Sequence, residues 1–124
     1  MNNEIFNQLK FNTGWKTKLN ITLFSKEHNV TLKLKAYSEK DGITEKQKST
    51  YLEFDKNKND LLKNIESMLS NYSKEAATRF IPKVLLIDRE GNCGLLCDDI
   101  NDPDGGIVVS IFPKKYIASQ DDYL

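Results

Sequence analysis

Chemistry needs acids, bases, nucleophiles or metal ligands at workable spacing, and few residues of this chain qualify. The only histidine, His28, falls in a polar stretch between two alternating runs, where a hairpin loop is expected. No serine or cysteine stands at a strand-to-helix turn to join it, so no nucleophile–base pair is legible. The two cysteines, Cys93 and Cys97, lie four apart in an apolar run. On one face of a strand they would sit roughly 13 Å apart, at about 3.3 Å per residue. A disulfide needs Cα atoms within about 7 Å, so reduced thiols are expected. One imidazole and two separated thiols do not make a zinc site, which takes three or four ligands.

Carboxylates are the remaining candidates. Asp98-Asp99-Ile100-Asn101-Asp102-Pro103-Asp104-Gly105-Gly106 has the composition of a calcium loop but not its spacing. Such a loop needs oxygen ligands at positions 1, 3 and 5 and glycine at 6. Ile100, Pro103 or Gly106 breaks each register, and Asx-turn chemistry explains the same residues. Gly105-Gly106 precedes a strand, so it is no phosphate loop. The neighbours Asp98/Asp99 and Asp121/Asp122 are adjacent in sequence, which does not place two groups across a scissile bond. No enzyme, cofactor or metal is expected. What these acids can do is face a basic partner, and Asp98, Asp99, Asp102, Asp104, Asp121 and Asp122 are the candidate partner-binding residues.

Elements must position them. Leu19, Ile21 and Leu23 alternate with polar neighbours, and after Ser25–Asn29 so do Val30, Leu32, Leu34 and Ala36, the pattern of an antiparallel hairpin. Thr44-Glu45-Lys46-Gln47 reads as a capping box. An apolar stripe at Tyr51, Phe54, Leu61, Ile65, Met68 and Tyr72 then predicts helix. The polar stretch Asp55–Asp60 leaves open one long helix or two, with Asn59 or Asp60 capping the second. A short helical continuation is open around Lys74–Phe80. Val84–Ile87 and Cys93–Cys97 flank the turn Asp88–Asn92, where Gly91 is free to take positive φ. Asp98–Gly106 is expected as an acidic loop, Ile107–Phe112 as a strand stopped by Pro113, and the tail after Lys115 is undetermined. The expectation is a single α+β domain over residues 1–124. It pairs an antiparallel sheet of about five strands, an N-terminal hairpin and three C-terminal strands, with one long or two shorter central helices.

The 124 residues carry 18 basic and 18 acidic side chains. A neutral chain lacks the basic field that general nucleic-acid binding needs. The halves differ in sign: residues 1–63 hold 12 lysines against 8 acids, and residues 64–124 hold 6 bases against 10 acids. Such an asymmetry makes a dipole with two surfaces suited to different partners. The first residues show no basic-then-apolar leader, and no apolar run reaches the ~18 residues of a membrane span, so a cytoplasmic protein is expected. The 16 lysines against 2 arginines suit an AT-rich bacterial genome.

The order of motifs resembles an uncharacterised family of small bacterial domains. Ile43-Thr44-Glu45-Lys46-Gln47 is similar to its helix-opening I-T-x-x-Q, and Gly91-Asn92-Cys93-Gly94-Leu95-Leu96-Cys97-Asp98 to its hairpin G-x-x-G-L-L-x-D. Asp102–Val109 is similar to an acidic turn ending in H-G-I-x-V, with Gly105 where the family often has histidine. The resemblance covers residues 19–124 and assigns no catalytic residue. It implies a cytosolic immunity-type protein, encoded near secreted toxins, that neutralises a cognate toxin by protein–protein contact, and the acidic C-terminal half suits a basic toxin domain as that partner. The alternative is a small-molecule-binding or enzymatic domain with an aromatic-lined pocket near Trp15, and a third is a regulatory or oligomerisation module. Oligomeric state is left open.

Overall fold

Alternation builds the first half of the sheet. In the computed structural model, which describes residues 5–124, strand β2 (Trp15–Leu23) and strand β3 (Lys26–Leu34) pair from Trp15↔Leu34 to Leu23↔Lys26. Only Phe24 and Ser25 remain to turn the chain, at φ 52° and 64°. Two positive φ values match the twist of a two-residue hairpin. The five-residue loop expected at Ser25–Asn29 is therefore corrected, and His28 stands on β3 opposite Ile21. Phe24-Ser25 is not Asn-Gly, so the turn carried no sequence signal. A carboxylate from the helix layer anchors it, with Glu66 Oε2 accepting the Phe24 N–H at 2.7 Å.

Thr44 opens helix α2 (Glu45–Lys56) through the expected capping box: its Oγ1 accepts the Gln47 N–H, and Gln47 Oε1 accepts the Thr44 N–H, both at 3.0 Å. Asn57, at φ −110° and ψ 20°, interrupts the helix before α3 (Lys58–Tyr72), so there are two helices, divided earlier than Asn59. The turn α4 (Ala76–Arg79) then leads into β4 (Phe80–Ile87). Pro82 lies buried inside β4, at a register shift between Pro82 and Val84. Strands β5 (Cys93–Asp99) and β6 (Asp102–Phe112) form a hairpin turning at Ile100-Asn101. Most of the expected acidic loop is thus strand.

The five-strand antiparallel sheet against one or two central helices is overturned. Among the described residues there is one seven-stranded mixed sheet, in the order β1 to β7, with five α-helices. Two short strands, β1 (Lys10–Phe11) and β7 (Tyr116–Ser119), extend its edges, and helices α1 (Ile5–Gln8) and α5 (Gln120–Tyr123) lie near the chain's ends. Neighbours are antiparallel except β3 and β4, which pair in parallel from Thr31↔Val84 to Leu34↔Ile87. The reason is the connection: the chain leaves β3, runs back through the helix layer and enters β4 at the end where β3 began, as a parallel pair requires. Leu32, Leu34, Leu85, Ile87, Leu95 and Val109 join Tyr51, Phe54, Leu61, Ile65 and Leu69 in one buried core. The opposite face of the sheet is shared between open lysine-bearing strands and the folded-back C-terminus. No helix among the described residues is long and apolar enough to cross a membrane.

Candidate functional site

The acidic candidates do not all lie at the surface. Asp99 continues the inward-facing series Cys93, Leu95, Cys97 of β5 and is buried at 5% exposure. Its carboxylate accepts from Arg79 Nε at 2.8 Å and Nη2 at 2.9 Å, and from the Asn101 N–H at 3.0 Å. The Arg79 hydrogen bond holds the carboxyl below its ordinary value against the opposing effect of burial. Asp99 is therefore a brace between α4 and the β5–β6 hairpin. Asp98, Asp102 and Asp104 are exposed on the two strands of that hairpin. Gly105 lies within the reach of Asp102, whose Oδ2 would stand 2.5 Å from an added Cβ.

Asp121 and Asp122 sit in the first turn of α5, capped by Ser119, whose Oγ accepts the Asp122 N–H at 3.1 Å. This turn lies on the second face of the sheet because the strands beneath it are bare. A Cβ on Gly94 would approach Tyr123 Oη to 2.9 Å, and one on Gly106 would approach Gln120 Nε2 to 2.5 Å. Gln120 donates to the Cys97 carbonyl at 3.1 Å. Asp121 thus starts beside Gly106, near the acidic hairpin. Asp122 lines a cleft of about 380 Å³ with Lys35, Asp88, Ser110, Lys114 and Tyr123.

A second cleft of about 550 Å³, lined by Thr13, Lys33, Lys35, Tyr37, Asp88, Arg89 and Glu90, shares Lys35 and Asp88 with the first. Both lie at the carboxyl ends of the parallel strands β3 and β4, where loops diverge and leave a crevice. A buried polar network fixes those ends. Gln47, wholly buried, donates to the Lys35 carbonyl at 2.9 Å and the Ile87 carbonyl at 3.2 Å. Arg89 Nη1 reaches the carbonyls of Gly42 at 2.7 Å and Lys35 at 3.2 Å. Asp88 is committed to its own turn, accepting from the Glu90 and Asn92 N–H groups and from Asn92 Nδ2.

Trp15 lines neither cleft: it is half-buried against the core, edge-on to Phe11 at 5.5 Å. Its Nε1 is buried without a hydrogen-bond partner among the described residues. Both thiols are free and buried, and burial pushes Cys97 up to about 12 and Cys93 higher still, the opposite of the lowered value that activates a thiol. Among the described residues no three of His, Cys, Asp and Glu gather to hold a metal ion.

Residue-type reasoning passed over Lys16, Lys18, Lys33 and Lys35. The signal was present as lysines at a spacing of two. The register that sets Lys16 opposite Lys33 was not legible.

No curated protein and no solved structure matches the chain. A family model described as a domain of unknown function (DUF6985) matches residues 5–100, which span the sheet through β5 and all of α1 to α4. The helix-opening and Gly91–Asp98 motifs fall inside that range, and the Asp102–Val109 motif falls outside it. The matched segment is most of the chain, and the protein belongs to the DUF6985 family of domains of unknown function.

Proposed function

We propose that this domain is a binding protein of the immunity type, which neutralises a basic protein partner such as a toxin domain by covering it with the acidic end of its sheet. One observation carries the reading: Asp98, Asp102 and Asp104 are exposed on the β5–β6 hairpin with Asp121 nearby. The ion pairs among the described residues, Lys48–Glu45 and Arg79–Asp99, use none of these four. Unneutralised carboxylates on a rigid hairpin create a local negative field that steers a basic surface toward it. Asp99 contributes by holding the hairpin to α4, not by contact.

The partner is sought by affinity capture from the native host, then used in stopped-flow association with the Asp98→Lys/Asp102→Lys/Asp104→Lys variant. Association should slow about tenfold or more at low ionic strength, and much less at high salt. Equal rates at low salt would refute the acidic-surface reading. The aromatic-pocket alternative draws less support, because the clefts open at the Asp88 turn and Trp15 lines neither.

A further inference from the structure

The face of the sheet away from α2 and α3 carries a second charged surface, of opposite sign. Register sets Lys10 opposite Lys16 and Lys16 opposite Lys33, so three ammonium groups stand in a row across β1, β2 and β3. Lys18 and Lys35 follow Lys16 and Lys33 two residues on, and so share their face. Like charges directly opposite one another oppose strand pairing. Burial, then Lys16 and Lys35, push Lys33 below the ordinary lysine value.

None of the five lysines is within ion-pair distance of a carboxylate among the described residues. Lys16 and Lys18 instead donate to the neutral hydroxyls of Thr13 at 3.2 Å and Thr31 at 3.3 Å. Asp88 and Glu90 share one cleft with Lys33 and Lys35, and Asp122 shares the other with Lys35, all beyond ion-pair distance, while Glu27 pairs with Thr22 at the far end of the hairpin.

We infer that this lysine-bearing face is a docking surface for an acidic protein segment, seated across Lys16 and Lys33. The lattice spacing suits carboxylates. Strands lie about 4.8 Å apart and alternate residues about 6.6 Å apart, the repeat at which an extended acidic chain presents its own side chains. Single-stranded nucleic acid would need successive aromatic platforms for its bases. Tyr37, 95% exposed at the cleft, is a lone ring, and Trp15 points to the core side. The surface is distinct from the one proposed above.

Fluorescence anisotropy with a labelled poly-L-glutamate peptide, on the full chain at low ionic strength, tests the inference. The peptide should bind, and Lys16→Glu/Lys33→Glu should weaken binding at least about tenfold, a factor worth 1.4 kcal/mol. Lys16→Arg/Lys33→Arg should retain it. The reversed variant should also melt close to the parent, which separates lost binding from lost folding: positions 16 and 33 would still repel each other, now as carboxylates, while Lys10 opposite position 16 and Lys35 beside position 33 would turn from repulsive to attractive neighbours. Three results would each overturn the proposal: no binding by the parent, equal binding by the reversed variant, or tighter binding of an oligothymidylate of equal length. The acidic hairpin takes no part in this test, so failure here leaves the reading of that hairpin standing.

Discussion

Gln47 shows how much one side chain can decide in this fold. It is the N3 residue of α2, the last member of the capping box, and its amide also bridges the two strand ends that frame the clefts. A buried amide is favourable only while each of its groups is paired. In Gln47→Leu the Lys35 carbonyl would keep Arg89, and the Ile87 carbonyl would keep the Lys35 N–H at 2.9 Å. The Thr44 N–H would lose its acceptor, so urea denaturation should show a loss of about 1–3 kcal/mol. No change in the unfolding midpoint would mean that another group or water replaces Oε1. Asp99 makes the complementary point. By residue type it resembled Asp98, yet its place in the inward series of β5 turned it from a contact residue into a brace.

Among the elements, α5 depends on absent side chains. Its seat is made by Gly94 and Gly106, on neighbouring strands of the same outer face, together with Val108. The close atom above Gly106 includes the Cys97 carbonyl, 2.7 Å from an added Cβ, which backbone cannot readily yield. Gly106→Ala should therefore lift Gln120 and also press on β5, loosening α5 and the β5–β6 pairing, seen as faster proteolytic clipping after β6 together with a lower melting temperature. Clipping at the parental rate would show that α5 is held by other contacts. The other edge is managed differently. Beyond the short β1, β2 is guarded from the helix layer: Lys58 donates to the Asn20 carbonyl at 2.7 Å, and Glu66 accepts the Phe24 N–H. Charged side chains on exposed edge groups discourage unwanted strand addition.

At the scale of the whole molecule, charge is balanced in sum and divided in space, lysines on the β1–β3 face and aspartates on the β5–β6 hairpin. Its response to pH follows from groups buried in their neutral forms. Burial raises Tyr51, Tyr123 and Cys97 to about 12, and Cys93 further. The folded chain therefore keeps protons that the unfolded chain releases from about pH 9, the ordinary thiol value. Their stabilisation is complete below that pH and is lost as pH rises through the folded values. Lys33, shifted down, works in the opposite sense as a single group. Melting temperature should be nearly level around neutrality and fall progressively above about pH 9. At the acid end, Asp99, held low by Arg79, adds stability that disappears as pH drops through and below its ordinary value of 3.8. A flat alkaline profile would contradict the burial of the thiols and phenols.

Local pattern alone determined the alternating strands, the Thr44–Gln47 cap, the Gly91 turn at φ 89° and the separation of Cys93 from Cys97. These are settled by neighbours within a few residues, whose spacing and dihedral preferences are written in order along the chain. The two-residue hairpin at Phe24-Ser25 escaped because its positive φ values are held by Glu66, 42 positions away. Parallel pairing of β3 with β4, the folding back of β7 and α5, the burial of Asp99 and the row Lys10–Lys16–Lys33 were decided only by tertiary structure. Each depends on which strands become neighbours and in what register, and long-range burial of one shared core fixes both. Residue types named the charges; the sheet decided which of them would stand side by side.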